Sequence, residues 1–316
     1  MIAALTDALV PIFAGLLLGY LAGRWKFVDN QNVSTLITFV MSIALPCSLF
    51  SSVDHLTPTV LGQQGQLAFV ITISYLVIFV LVYVGGIRWA KLTPGGSAVL
   101  ALTLAFPNLA AVGFSLLEAM HGPASNVAVA VGLAIGAITV SPITLAILEN
   151  GAGPTTGATS KYLVVQSFIK AFRRPVVWAP LLGIVFACLS IDVPKPLDLS
   201  LGTMGSATTG SALFLTGLVV SAQAFKLDRA VLLSVLAKNI IQPAFCLLLA
   251  MAIGMPPLQR DFAVLISAIP GGFFGVVFGK SFPNAVPEVA SASLICTYLA
   301  GVFTMAGWMV LLSHMA

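Results

Sequence analysis

Charged side chains are scarce in this sequence: Asp, Glu, Lys and Arg make up 8% of its 316 residues, against about 25% in soluble domains. With a mean hydropathy of +1.07, too little polar surface exists to face water. That excludes a soluble fold and implies an all-α polytopic membrane protein. Acid is scarce too: the ten Asp and Glu are scattered, and none lies deep in an apolar run. This excludes the aspartate pairs of intramembrane proteases and the aspartate clusters that hold magnesium with diphosphate in prenyl transfer. No enzyme is expected, and no acidic proton relay is evident. The four cysteines, Cys47, Cys188, Cys246 and Cys296, fall inside apolar runs without metal-ligand spacing, so free thiols are expected, with no disulfide and no metal. A basic stretch before the first apolar run is also missing. Arg24 and Lys26 follow that run instead, so residues 1–23 read as a retained helix and not as a signal peptide.

What is present is a succession of ten apolar runs, each near the ~20 residues that span a bilayer. They fall at about 5–23, 33–53, 67–87, 97–119, 125–148, 175–191, 200–223, 230–254, 261–281 and 286–312. The fifth is expected to end near Ser141-Pro142, and the seventh is rich in small residues that let helix backbones approach closely in lipid. The one long polar segment, 149–174, reads as a cytoplasmic linker between a first half, 1–148, and a second, 175–316. Arg24, Lys26, Arg88, Lys91, Lys161, Lys170, Arg173, Arg174, Lys226, Arg229 and Lys280 follow the odd-numbered runs, and only Lys195 and Arg260 follow the even-numbered ones. Eleven against two predicts that both termini are extracytoplasmic. The net charge of +4 is thus explained by topology, and no nucleic-acid partner is implied.

Proline organises the middle of the runs. Pro107, in Phe106-Pro107-Asn108, and Pro270, in Ile269-Pro270-Gly271-Gly272, each sit inside a span. A proline removes one helical hydrogen bond and clashes with the preceding turn, and in lipid such a break survives only where it is buried or lines a wet cavity. Pro46, in Ala44-Leu45-Pro46-Cys47-Ser48, predicts a further break in the second run. The interval from Pro11 to Pro107 is 96 residues and that from Pro180 to Pro270 is 90. Two halves of five spans each must enter the membrane from opposite sides, so the expectation is two inverted five-helix repeats. Helices 4 and 9 are then interrupted and cross at mid-membrane, where transporters of this design bind substrate.

The runs, linker and breaks resemble the auxin efflux carrier family, and within it the bacterial malonate carriers encoded beside malonate decarboxylase. The resemblance covers nearly the whole chain. It is carried by Ala44-Leu45-Pro46, Phe106-Pro107-Asn108 and Ser211-Ala212-Leu213-Phe214-Leu215-Thr216-Gly217. Ala237-Lys238-Asn239-Ile240-Ile241-Gln242-Pro243 and Gly272-Phe273-Phe274-Gly275-Val276-Val277-Phe278-Gly279 complete it. Phe106 departs from the plant pattern, which has an asparagine before the proline, and so argues against an auxin-like substrate. The resemblance implies a scaffold of helices 1, 2, 6 and 7 and a moving transport unit of helices 3–5 and 8–10. It also implies substrate at the crossing of helices 4 and 9, and homodimers in the cell inner membrane.

The residues offer a site at that crossing. Helix N-termini attract anions, but the first half-helices aim their negative ends at the same place, so a further cation is required. Lys238, about nine residues into the eighth run, is the candidate, at a cost of about 2.5–3.5 kcal/mol for a mid-membrane lysine. Asn239 and Gln242 bracket it. The competing reading is a lysine that snorkels ~13 Å to the headgroups. Asn108 fits either a ligand contact or a helix cap. Gly271 and Gly272 fit close approach to ligand or to helix 4, and Ser48 and Ser211 fit ligand hydroxyls or bonds to their own backbone. Glu118, Asp7, His55 and His314 read as solvated groups near the outer surface. Malonate uptake against a membrane potential costs about 2.3 kcal/mol per charge per 100 mV. It therefore needs a co-transported cation (proton or sodium), a protonated monoanion, or exchange for another anion. Another small organic anion, or a passive anion channel, remains the alternative.

Overall fold

The computed structural model describes residues 2–51, 54, 58–151, 169, 173, 175–222, 227–280, 282, 285 and 288–315. Among them every apolar run is helical and there is no strand, only an isolated antiparallel bridge between Pro107 and Gly271. The helices are α1 (Ile2–Arg24), α2 (Ser34–Ser51), α3 (Pro58–Arg88), α4 (Pro94–Ala105), α5 (Leu109–His121), α6 (Asn126–Ile138) and α7 (Val140–Gly151). They continue as α8 (Pro175–Leu189), α9 (Lys195–Ser221), α10 (Arg229–Ala252), α11 (Pro257–Ala268), α12 (Phe274–Lys280) and α13 (Glu288–Met315). Among the described residues six stretches are long and apolar enough to cross a membrane: Ser34–Ser51, Gln64–Arg88, Pro123–Glu149, Lys195–Ser221, Arg229–Ala252 and Glu288–Met315. Four further apolar helices, Val10–Arg24, Pro94–Ala105, Leu109–His121 and Trp178–Leu189, are shorter. Most of the expected linker, including Lys161, Lys170 and Arg174, lies outside the described residues, as do Lys226 and His55.

Two sequence expectations need correction. Pro46 does not break α2. The helix widens into one π turn at Val40–Ala44 and resumes its α form at Leu45. The same solution appears in α10, where a π turn at Ala237–Ile241 precedes Pro243. A π turn accommodates an extra residue without ending the helix, so the proline is absorbed. Nor does the fifth run end near Ser141-Pro142. After one irregular residue, Thr139, α7 carries on through Pro142 to Gly151. The Thr139 hydroxyl donates to the Ile135 carbonyl at 2.6 Å.

The chain gathers into two compact units. The first holds residues 1–68, 109–134 and 172–222, and the second 69–108, 135–171 and 223–316. In the first unit α1 and α9 meet backbone to backbone. A Cβ on Gly19 would overlap the Phe214 carbonyl and one on Gly217 the Leu16 carbonyl, which is how small residues promote helix contact in lipid. Asn30 closes the end of this contact, its Nδ2 donating to Ser221 Oγ at 2.8 Å. In the second unit α4 is wholly buried from Gly95 to Ala105 and packs against α7, α12 and α13, while α10 packs against α11 and α13.

Candidate functional site

The site is built from two helix ends. Pro107 has no N–H, and a residue before proline is pushed to extended backbone. Phe106 is accordingly extended (φ −103°, ψ 99°) and α4 stops at Ala105. In the same way Ile269 is extended before Pro270 (φ −58°, ψ 137°) and α11 stops at Ala268. The two breaks pair with each other as a minimal antiparallel bridge. Asn108 N–H donates to the Pro270 carbonyl at 3.0 Å, and Gly272 N–H donates to the Thr103 carbonyl at 2.9 Å. Buried backbone groups left by the breaks are thereby partnered.

Helix α10 completes the partnering. Gln242 Nε2 donates to the Ala105 carbonyl at 3.1 Å. Lys238 Nζ donates to the Ser267 carbonyl at 2.9 Å and to Gln242 Oε1 at 2.7 Å. One continuous chain of hydrogen bonds therefore joins the end of α4, through Gln242 and Lys238, to the end of α11. The two side chains lie at i, i+4 and share one face. This caps the negative ends of both first half-helices with donors, one of them charged.

Helix α13 supplies the other side. Asn108 Nδ2 donates to Tyr298 Oη at 2.6 Å, and Gly271 N–H donates to Thr297 Oγ1 at 3.3 Å. Asn239 Nδ2 donates to the Thr297 carbonyl at 2.9 Å and to Thr304 Oγ1 at 3.1 Å. Pro243 offers no N–H to the Asn239 carbonyl four residues before it, and Trp308 Nε1 donates to that carbonyl at 2.9 Å. Phe106 belongs to the packing: its ring stacks on Phe274 at 5.3 Å and tilts against Tyr75 at 6.0 Å.

Eight of the ten sequence-selected residues thus lie in the second unit around the paired breaks: Pro107, Asn108, Lys238, Asn239, Gln242, Pro270, Gly271 and Gly272, all buried. Asn108, Lys238, Asn239 and Gln242 have no exposed surface at all. The Lys238 ammonium turns inward to Ser267 and not toward headgroups. Ser48 and Ser211 lie in the first unit. The Ser48 backbone packs on Gly205, and Ser211 is half-buried in a groove of about 750 Å³ with Asn32, Phe39 and Phe214. Glu118 is exposed and accepts from Asn126 Nδ2 at 3.2 Å; His314 is exposed; the side chain of Asp7 lies outside the described residues.

The electrostatics are one-sided. Among the described residues no carboxylate pairs with Lys238, and the ion pair found is Arg260–Asp261 at 2.9 Å, at the start of α11. Nor do three His, Cys, Asp or Glu come together as a metal site among those residues. In its protonated form Lys238, bonded to two neutral acceptors, places about one unit of positive charge beside the paired breaks. In an environment of low dielectric that charge attracts anions strongly.

Sequence reading missed Thr297 and Tyr298. The signal was slight: two adjacent hydroxyls in an otherwise apolar run. Tyr298→Phe removes the acceptor for Asn108 and leaves a buried amide donor short of its partner, which costs about 1–3 kcal/mol. The expected result is a lower unfolding midpoint than the parent protein, read from thermal unfolding of the purified variant in detergent.

Comparison with known proteins finds that residues 4–309 match the family model described as "Membrane transport protein". The "Uncharacterized transporter YfdV" of Escherichia coli (strain K12) is 28% identical over 301 residues, covering 95% of each chain. The "Putative malonate transporter" of Rhizobium meliloti (strain 1021) is 25% identical over 317 residues, covering 98% of this chain and 96% of its own. The "Auxin efflux carrier component 8" of Arabidopsis thaliana is 22% identical over 360 residues, covering 97% and 96%.

Proposed function

The chain belongs to the membrane transport protein family that includes the auxin efflux carriers, and from that premise we propose that it is a secondary active carrier of malonate or a similarly small dicarboxylate. The observation that carries the anionic part of the reading is Lys238, fully buried and, among the described residues, bonded to Gln242 and the Ser267 carbonyl with no carboxylate beside it. A buried cation is costly to hold in a membrane. Its retention makes sense if a counter-charge arrives with the substrate. The malonate part rests on the resemblance at α9, α10 and α12 and on the similar Rhizobium protein.

The substrate sits where the 107 and 270 breaks pair, with Asn108, Gly271 and Gly272 nearest to it and Lys238 with Gln242 behind. Asn239 positions α10 against α13, and Ser48 and Ser211 are kept in this reading as candidate substrate hydroxyls. Ten spans form two inverted five-helix repeats in the cell inner membrane, with both termini extracytoplasmic. Helices α1, α2, α8 and α9 serve as a dimeric scaffold and the remainder as the moving unit. Uptake is driven by a co-transported proton or sodium ion, by a protonated substrate or by anion exchange.

The test is counterflow. Proteoliposomes loaded with unlabelled malonate should accumulate labelled external malonate transiently above equilibrium. Entry of label that is unaffected by internal malonate and does not saturate would identify a passive anion pathway instead.

A further inference from the structure

The second unit carries a groove that the transport reading does not use. It encloses about 510 Å³ between α3, α4 and α10. Its walls are apolar and open to the surroundings: Leu81 is 57% exposed and Leu233 56%. One end is marked by Arg229 and Trp89, the other by Ile78, Leu104 and Ile241. From Arg229 to Ile241 is twelve helical steps, about 18 Å, close to the ~15 Å of hydrocarbon in one leaflet. The groove therefore runs from the headgroup level to about the bilayer centre.

We propose that this groove holds one anionic phospholipid, with its phosphate on Arg229 and an acyl chain along Leu81 and Leu233 as far as Leu104. Three features single out that occupant. A tryptophan 80% exposed beside an arginine is the pairing found at the membrane–water interface. Arg229 opens α10, where a basic residue gains nothing from the helix dipole and the dipole itself favours an anion. The neighbouring Asp228 is engaged in capping, its Oδ1 accepting from Val231 N–H at 2.9 Å. Arg88 and Lys91, both exposed, lie at the same end of α3, so the charge of this mouth is positive. Charge asymmetry assigns this end to the cytoplasmic leaflet, where anionic lipids concentrate.

The deep end gives the lipid a functional reach. Leu104 adjoins the end of α4, and Ala237 and Ile241, which also line the groove, flank Lys238. An acyl chain there packs against the outer side of the Lys238–Gln242 tie and steadies it.

The experiment uses the purified full-length chain in detergent, titrated with phosphatidylglycerol or phosphatidylcholine and followed by native mass spectrometry and thermal unfolding. Phosphatidylglycerol should bind with one-to-one stoichiometry, raise the unfolding midpoint, and lose at least about fivefold in affinity in Arg229→Glu. Phosphatidylcholine should do neither. A Leu81→Trp variant, which fills the groove, should lose the lipid while keeping its fold. Equal binding of both lipids, or unaltered phosphatidylglycerol binding in both variants, overturns the proposal. So does one-to-one binding of a second copy of the chain in place of lipid. None of these readouts involves malonate, so the failure of the substrate assignment would leave them untouched.

Discussion

Exchanging Lys238 for methionine is expected to cut malonate uptake by proteoliposomes about 100-fold or more and to leave the protein folded. Two opposing quantities lead to this. The variant loses hydrogen bonds of 2.7 and 2.9 Å to Gln242 and the Ser267 carbonyl, each worth about 1.5–3 kcal/mol because the donor is charged. It also sheds the cost of burying an ammonium, about 2.5–3.5 kcal/mol in a membrane helix. The two largely cancel, as they do when buried charges elsewhere are replaced by apolar side chains of similar volume. The unfolding midpoint in detergent should therefore move by only a few degrees. Transport has no such offset. An ammonium about 4–6 Å from a carboxylate at an effective dielectric near 20 contributes about 3–4 kcal/mol, and all of it goes. Lys238→Arg should not rescue, since a guanidinium fork is wider than the closed space around Nζ. Wild-type uptake by Lys238→Met would remove the ammonium from the site, and loss of folded protein would make it a structural tie only.

Gly272→Ala is expected to reduce uptake by a comparable factor for a different reason. A Cβ at residue 272 would overlap the carbonyl oxygen of Phe106, and one at 271 would come within 2.7 Å of the Thr103 carbonyl. Both obstacles are backbone held in the paired breaks, so no rotamer change relieves them. The bridge must separate, and with it the Gly272-to-Thr103 and Asn108-to-Pro270 hydrogen bonds. Gly301→Ala should act in the same direction, since its Cβ would press on Pro270 Cγ at 2.7 Å. Gly307→Ala is the control. It lies on the same helix as Gly301, meets nothing within 4 Å, and should transport normally. Equal activity of the 272 and 307 variants, measured at matched protein density, would mean that the breaks need not stay paired.

The prolines show what the sequence could and could not reveal. Pro107 and Pro270 were readable as interruptions because each deletes a donor inside an apolar run. Pro46 and Pro243 have the same local chemistry, yet there the helix only widens. In α10, Trp308, sixty-five residues after Pro243, meets the Asn239 carbonyl. Whether a proline cuts a span depends on such distant partners, which no local pattern encodes. Lys238 was legible as an anomaly, since a lysine amid Leu, Ala and Ile requires a reason. Its acceptor, the Ser267 carbonyl, was not, because backbone carbonyls carry no signature of their own. Tyr298 was missed because its importance comes from Asn108, 190 residues away. The pairing of the 107 and 270 breaks followed from the presence of a break in each half. That they share two backbone hydrogen bonds did not.

The central claim is that an organic dianion rests against the paired breaks, and it is most directly tested by rotational-echo solid-state NMR in liposomes. Carboxyl-¹³C malonate would be recoupled to ¹⁵N placed in the Asn108 side-chain amide and in the Gly271 and Gly272 backbone. Dephasing at Asn108 and Gly272 that disappears on adding excess unlabelled malonate is the predicted result. Saturable malonate binding with no dephasing at any of these nitrogens would place the substrate elsewhere and contradict the account.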